Sequence, residues 1–295
     1  MTYLLALLLA WLGLGPSAQA PGTQGVDIAL DVPLAERLGP LPSVTPARGE
    51  NPPLVVIDPG HGGRDPGATS PHNGALEKDT VLALARAVRD ELARSGRVRA
   101  ALTRDDDRFL PLQDRYEIAR ALGADLFISL HADAAPANDG ARGATVYTLS
   151  EVASDQVAAA LAARENAADR LAGAPVSGNS DVSMILIDLT QRESMQRSAD
   201  FARILHREAS GSVPFRPVWH RFAAFVVLKA PDIPSILFES GYMTNAVDVA
   251  YMRSPEGREA IATGMRRAIE ASFARRGALS PGAAAAPPTR IAARN

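Results

Sequence analysis

Leu54-Val55-Val56-Ile57-Asp58-Pro59-Gly60-His61-Gly62-Gly63 is the stretch from which the fold can be read. Its first four residues are apolar at every position and lack the alternation of a half-exposed strand. They predict a central strand buried on both faces. The run stops at Asp58-Pro59-Gly60. The glycines beyond allow a sharp backbone turn and leave an imidazole, His61, at the carboxyl end of the strand. A helix is expected from about Glu77 to Arg94, with Leu82, Ala85, Val88, Leu92 and Ala93 near apolar spacing and Gly96 to end it.

The alternation continues along the chain. Val98 to Thr103 reads as a strand, Leu112 to Leu122 as a helix, Leu126 to His131 as a buried strand and Ala144 to Leu149 as another. Phe225 to Leu228 and Ile236 to Glu239 read as the last two strands. Pro255 to Arg275 reads as the closing helix, with Ser254 at its N-cap and Pro255 at its first position. Strands alternating with helices predict an α/β fold, a three-layer α/β/α arrangement around a largely parallel sheet of about six strands. From Ser150 to about Trp219 the rhythm breaks. Only Met184 to Leu189 hints at a strand. Two amphipathic segments, Val152 to Leu171 and Arg192 to Ala209, flank a polar loop, Gly173 to Ser183. This reads as a helical insertion over about 150–220.

Upstream, Leu4 to Leu14 is apolar but too short to span a bilayer core of roughly 30 Å. Ala18-Gln19-Ala20 follows as a small-x-small cleavage site, so residues 1–20 read as a signal peptide that exports the chain to the periplasm without a stable transmembrane anchor. Residues 21–50 read as a linker or N-terminal arm, 51–276 as the catalytic domain with its insertion, and 277–295 as a disordered tail. The formal net charge is −2 with a pI near 6.2, which gives no basic field for nucleic acid. Cysteine is absent, which excludes disulfides, thiolate metal sites and a cysteine nucleophile. Any metal must rest on His and carboxylates.

Sites in open α/β sheets form at the carboxyl ends of the strands. Three strands end there in possible ligands: the first in His61, the third in Ser129-Leu130-His131-Ala132-Asp133, the last in Phe238-Glu239-Ser240-Gly241. Glu77 opens the first helix, sixteen residues after His61. Two neutral imidazoles and a carboxylate, with one position left open, form the usual catalytic zinc set. His72, His206 and His220 read as structural or solvent-facing, with His72 the strongest exception. The glycines do not fit G-x-G-x-x-G, no phosphate-loop Lys follows them, and neither G-x-S-x-G nor H-E-x-x-H is present.

These stretches, with Gly67-Ala68, Glu77-Lys78, Leu102-Thr103-Arg104, Leu112, Arg115 and Pro234 to Asn245, resemble the zinc-dependent N-acetylmuramoyl-L-alanine amidases of the type-3 catalytic family, bacterial cell-separation enzymes. The resemblance covers roughly residues 54–275 in the family's order. It implies that His61, Glu77 and His131 hold one Zn2+ per chain and that Glu239 is the catalytic acid/base. It implies hydrolysis of the amide between N-acetylmuramic acid and L-alanine in peptidoglycan by zinc-activated water. Asp58 and Arg115 would be supporting groups. The insertion is similar to a helical element that, in the division amidases, covers the cleft and offers a Glu to the open metal position. Glu151 and Glu165 are the candidates here, Glu151 slightly favoured because it follows a core strand. That implies autoinhibition relieved by an activator protein. Another zinc hydrolase, such as a peptidase or deacylase, and a non-catalytic wall-binding module are the rival readings.

Overall fold

The computed structural model describes residue 36, residues 38–135, 138, 140–171 and 184–279. The expected signal peptide, most of the expected linker and the last residues of the expected tail lie outside the described residues. Six strands form one sheet: β1 (Leu54–Pro59), β2 (Arg99–Leu102), β3 (Leu126–Asp133), β4 (Ala144–Leu149), β5 (Phe215–Ala223) and β6 (Ser235–Tyr242), in the order β2-β1-β3-β6-β4-β5. All neighbours are parallel except β4 and β6, which run antiparallel. β1, β3 and β6 are buried along their whole length, as apolar runs in a two-sided parallel sheet should be.

Helices α1 (Glu77–Ser95), α5 (Met184–Ala209) and α7 (Pro255–Leu279) cover one face. Val88, Leu92, Phe201, Leu205, Met265 and Ile269 interlock there with Val55, Ile57 and Ile128 of the sheet. The other face carries α2 (Leu112–Ala121), a 3-10 turn at Val226–Leu228 and α3 (Gln156–Glu165). Ala158, Leu161 and Ala162 of α3 pack there with Phe127, Tyr147 and Leu237. A short α4 (Ala168–Leu171) and α6 (Ala246–Arg253) complete the elements. Local signals end the helices as expected. Gly96 caps α1 at φ 65°, and Ser254 Oγ accepts from the Gly257 amide at the start of α7. Part of the expected linker also serves the sheet, since the Thr45 amide donates to Ala100 O of β2 at 2.8 Å.

The stretch expected as one helical insertion over about 150–220 is divided differently. α5 takes up the second amphipathic segment as a core helix, with Phe201, Ala202 and Leu205 buried. Met184 to Leu189, the hint of a strand, opens that helix instead. The last element of the stretch is β5, an edge strand that sequence reasoning missed. It has exposed Val218 and Phe222, and Pro217 interrupts it, so neither apolar alternation nor an apolar run marks it. Phe225 to Leu228, expected as a strand, is the 3-10 turn. Of the expected insertion there remain, among the described residues, α3, which packs on the second face of the sheet, α4 and the loop that precedes them, with 172–183 outside the described residues.

Candidate metal centre

The turn after β1 is fixed by two buried arginines. Asp58, the penultimate residue of β1, is fully buried. It accepts from Thr103 Oγ1 at 2.6 Å, Ser129 Oγ at 2.8 Å and Arg115 Nη1 at 3.0 Å. Burial opposes its charge, but Arg115 and the two hydroxyls hold its carboxyl below the usual carboxylate range. Arg115 also donates to Pro59 O at 3.0 Å and His61 O at 2.9 Å. Arg104 donates to Pro59 O at 3.0 Å and Gly60 O at 2.6 Å. Burial, with Arg115 alongside, lowers the Arg104 guanidinium to about 10. Three successive carbonyls are therefore held by two guanidiniums, and His61 is kept at φ 59°, a left-handed conformation that a residue with a side chain seldom adopts.

This geometry aims His61 at a shared centre. Its Nδ1 lies 2.8 Å from Asp65 Oδ2, which orients the ring and leaves Nε2 facing inward. Glu77, in the first turn of α1, is locked by backbone amides: Ala68 N donates to Oε2 at 2.8 Å and Ala132 N to Oε1 at 2.9 Å. His131, near the end of β3, presents Nδ1. His61 Nε2 stands 3.0 Å and His131 Nδ1 3.3 Å from Glu77 Oε1. Glu165, the last residue of α3, brings Oε2 to 3.6 Å from His61 Nε2 and 3.3 Å from His131 Nδ1. The sequence signal for Glu165 lies in the apolar stripe of α3. Ala158, Leu161, Ala162 and Glu165 follow the i, i+3, i+4, i+7 pattern, so the carboxylate continues a buried face. Glu151 is not brought to the centre and is exposed. β4 runs antiparallel to β6, so its carboxyl end, where Glu151 follows, lies at the opposite edge of the sheet from the ends of β1, β3 and β6. His72 is outside the cluster too, with Nε2 at 3.0 Å from Thr244 O.

The donor set fits a metal cation. His61 Nε2 and His131 Nδ1 are buried with no hydrogen-bond partner, an arrangement two imidazoles do not sustain without a shared ligand. The four nitrogen–oxygen separations, 3.0 to 3.6 Å, bracket the edge of about 3.3 Å of a tetrahedron built on metal bonds of about 2.0 Å. The charges point the same way. Burial opposes ionisation of Glu77, yet His61 and His131 hold its carboxyl well below the usual range. Burial likewise opposes a charged His61, yet Glu77 and Asp65 raise it well above its ordinary value. The site is built to hold positive charge.

Glu239 stands beside this group on β6, in register with His131 on β3. Both of its carboxylate oxygens are buried without a hydrogen-bond partner. Burial, reinforced by Asp133, Glu77 and Glu165, pushes its carboxyl well above the usual range. A buried carboxyl with no fixed hydrogen-bond partner is free to exchange a proton with a molecule bound beside it.

α3 is fastened at both ends. Asp155 caps its first turn, accepting from Ala158 N at 3.0 Å, and pairs with Arg221 of β5. After its last turn, Asn166 bonds Ala224 O and Val226 N, each at 2.8 Å, and Asp169 accepts from Leu112 N at 2.9 Å. Arg164 ties the end of the helix to the sheet. Its Nη2 lies 2.9 Å from Asp133 Oδ1 and 3.0 Å from Glu165 Oε1. Asp65, Arg104, Asp133 and Arg164 had no assigned role from the sequence, although Asp65 stands four residues after His61, a natural spacing for an orienting carboxylate.

Residues 55–271 match a family model described as N-acetylmuramoyl-L-alanine amidase. The chain is 40% identical over 222 residues to the N-acetylmuramoyl-L-alanine amidase AmiA of Salmonella typhimurium, covering 75% of this chain and 76% of that one. It is 38% identical over 239 residues to AmiC of Neisseria meningitidis, covering 79% of this chain but only 57% of the relative. The solved structure of the amidase AmiC2 of Nostoc punctiforme is 30% identical. It covers 77% of this chain and all of that one, with a TM-score of 0.55. Among the described residues no helix is long and apolar enough to cross a membrane.

Proposed function

Since the chain belongs to the N-acetylmuramoyl-L-alanine amidase family, we propose that it cleaves the amide between N-acetylmuramic acid and the L-alanine of the stem peptide in bacterial peptidoglycan, and that it works in the periplasm. The observation that carries the reading is the convergence of His61 Nε2, His131 Nδ1 and Glu77 Oε1 beside the unpartnered carboxyl of Glu239. The three ligands would hold Zn2+, the ion that two imidazoles and one carboxylate suit best in a hydrolytic site. When bound, the ion supplies Lewis acidity that polarises a carbonyl oxygen and acidifies water. Glu239 does the proton work. It takes a proton from the attacking water and hands it to the alanine nitrogen as the C–N bond breaks, leaving a muramic carboxylate and a free amino terminus. Asp65 holds the His61 ring, and the Arg104 and Arg115 guanidiniums hold the turn that carries it.

The same reading makes the resting protein closed. Glu165 Oε2 lies 3.6 Å from His61 Nε2 and 3.3 Å from His131 Nδ1, so its carboxylate would compete there with water and with the scissile carbonyl. Opening is then a shift of population away from a docked α3, and a protein partner that grips the displaced helix would drive it.

Release of labelled fragments from purified peptidoglycan tests both parts. Wild type, Glu165→Ala and Glu239→Gln are compared with and without a chelator, and products are scored for new L-alanine amino termini. Glu165→Ala is expected to release fragments faster than wild type, and Glu239→Gln or the chelator to stop release. Fragments in which glycan and peptide remain joined would refute the amidase reading. Equal rates for Glu165→Ala and wild type would refute the closed state. Deleting about 152–210 is not a usable test, because it removes the core helix α5.

A further inference from the structure

Asp133 is a buried carboxylate that the hydrolytic step does not use. It ends β3, two residues after His131, and is 4% exposed. Beside the Ala134 amide, which donates to Oδ1 at 2.6 Å, it has a partner from the covering helix: Arg164 Nη2 donates to Asp133 Oδ1 at 2.9 Å, and Arg164 Nη1 to the carbonyl of the next residue, Ala134, at 3.2 Å. The two acceptors lie side by side at the end of one strand, and one guanidinium fills both. The guanidinium also reaches Glu165 Oε1 at 3.0 Å, so it is held within one residue of the carboxylate that faces the metal ligands. Arg164 itself is a surface residue, its side chain 43% exposed, lying over a carboxylate that is not.

When α3 leaves, Glu165 and Arg164 leave together. The cleft then loses the carboxylate at its metal end and the N–H donors a few ångströms away. Asp133 keeps the Ala134 amide, which donates to Oδ1 at 2.6 Å, but it loses its guanidinium partner, and the half-buried Ala134 carbonyl loses its donor as well, so the pair is opened to a new N–H. What arrives is substrate, with the scissile carbonyl where Glu165 stood. Beyond the scissile N–H itself, the next backbone donor a muramyl peptide carries is the amide that follows L-alanine.

We propose that Asp133, with the Ala134 carbonyl, is the acceptor pair that recognises the stem-peptide amide N–H following L-alanine, and that Arg164-Glu165 occupies this subsite and the reactive one as an internal stand-in for substrate. The proposal rests on the amidase reading and deepens it. Asp133 sets specificity: it fixes where the peptide lies relative to Glu239 and the metal ligands, and it rejects substrates lacking that N–H.

The test uses a soluble muramyl dipeptide and its ester analogue, in which oxygen replaces the N–H after L-alanine. Both are hydrolysed by the full chain, by Glu165→Ala, and by each of these combined with Asp133→Asn or Asp133→Ala. The readouts are KM and kcat separately, with melting curves to verify folding. With Asp133 present, the ester analogue is expected to lose about ten-fold or more in kcat/KM, mostly through KM. With Asp133→Ala the two substrates should converge, and Asp133→Asn, which keeps a neutral acceptor, should fall between. Equal handling of the two substrates by the Asp133 protein overturns the proposal, and so does an undiminished preference in the folded Asp133→Ala protein. If Glu165→Ala is no faster than wild type, the closed state falls, while the substrate comparison in the wild-type background still decides Asp133. If neither substrate yields a free amino terminus in any folded background, the amidase reading falls and this proposal with it.

Discussion

Gly60→Ala places a methyl group where the structure has the His131 ring. A Cβ at position 60 would lie 2.4 Å from His131 Cε1, 2.6 Å from Nε2 and 2.8 Å from Nδ1. Carbon atoms pack at about 3.5–4.0 Å, so the ring has to retreat by about 1 Å. The backbone cannot take up the shift. Gly60 N donates to Leu130 O at 2.9 Å, and Gly60 O is gripped by Arg104. Gly60 is not in the left-handed region, so the effect is steric and carries no added backbone strain. Metal ligands tolerate about 0.2 Å of displacement, and a 1 Å retreat takes His131 Nδ1 out of reach. Metal affinity should fall by more than the about 10- to 100-fold typical of losing an outer partner of a ligand. The metal-free protein should lose only the cost of overpacking, about 1–3 kcal/mol. Competition against a chromophoric chelator reads the first, and melting in the presence of chelator reads the second. A folded Gly60→Ala protein with affinity within two-fold of wild type would refute the assignment of His131 as a ligand in this geometry.

Asp58→Asn leaves the buried Arg115 guanidinium without its counter-charge and should cost about 3–5 kcal/mol, measured by urea unfolding near neutral pH. Because the folded-state value of Asp58 is depressed, its stabilisation is fully present above the unfolded value of about 3.9 and is lost as pH falls below it. The acid limb of the stability curve should therefore be shallower in Asp58→Asn than in wild type. Leu161→Ala removes a buried anchor of α3 and weakens its docking by up to about 2–5 kcal/mol, so peptidoglycan release should rise while metal affinity measured in Glu165→Ala stays unchanged. A Leu161→Ala protein as slow as wild type would mean that this face of α3 does not hold the cleft closed.

The parts of the fold that could be read directly were those whose chemistry is local. β1, β3 and β6 open on apolar runs because both faces are covered, and each run gives way to a polar group that a core would not keep: His61 just beyond β1, His131 within β3 and Glu239 within β6. Glu77 was legible from its place at the start of α1. What could not be read depended on which surface an element faces. α5 has the stripe of any amphipathic helix, and nothing in its sequence says that the stripe meets the sheet rather than a lid. β5 is half exposed and carries Pro217, so its strand character comes from pairing with β4. The four apolar residues from Phe225 fit a strand or a turn equally well. The preference for Glu151 assumed that β4 runs with its neighbours. One reversed strand moved its end to the other edge of the sheet, and α3 then carries a different carboxylate back.

That reversal gives α3 a property no single contact has. The helix must climb from the far edge of the sheet to the ligands, and its ten residues act as a ruler. Each residue added or removed between Asp155 and Glu165 moves the carboxylate along the axis by about 1.5 Å and swings it by about 100°. A single-residue insertion or deletion would leave every side chain of the centre intact and still turn Glu165 away from it. On the closed-state proposal, closure depends on the count of residues in one short helix, and the gate has a reading phase as well as a chemistry.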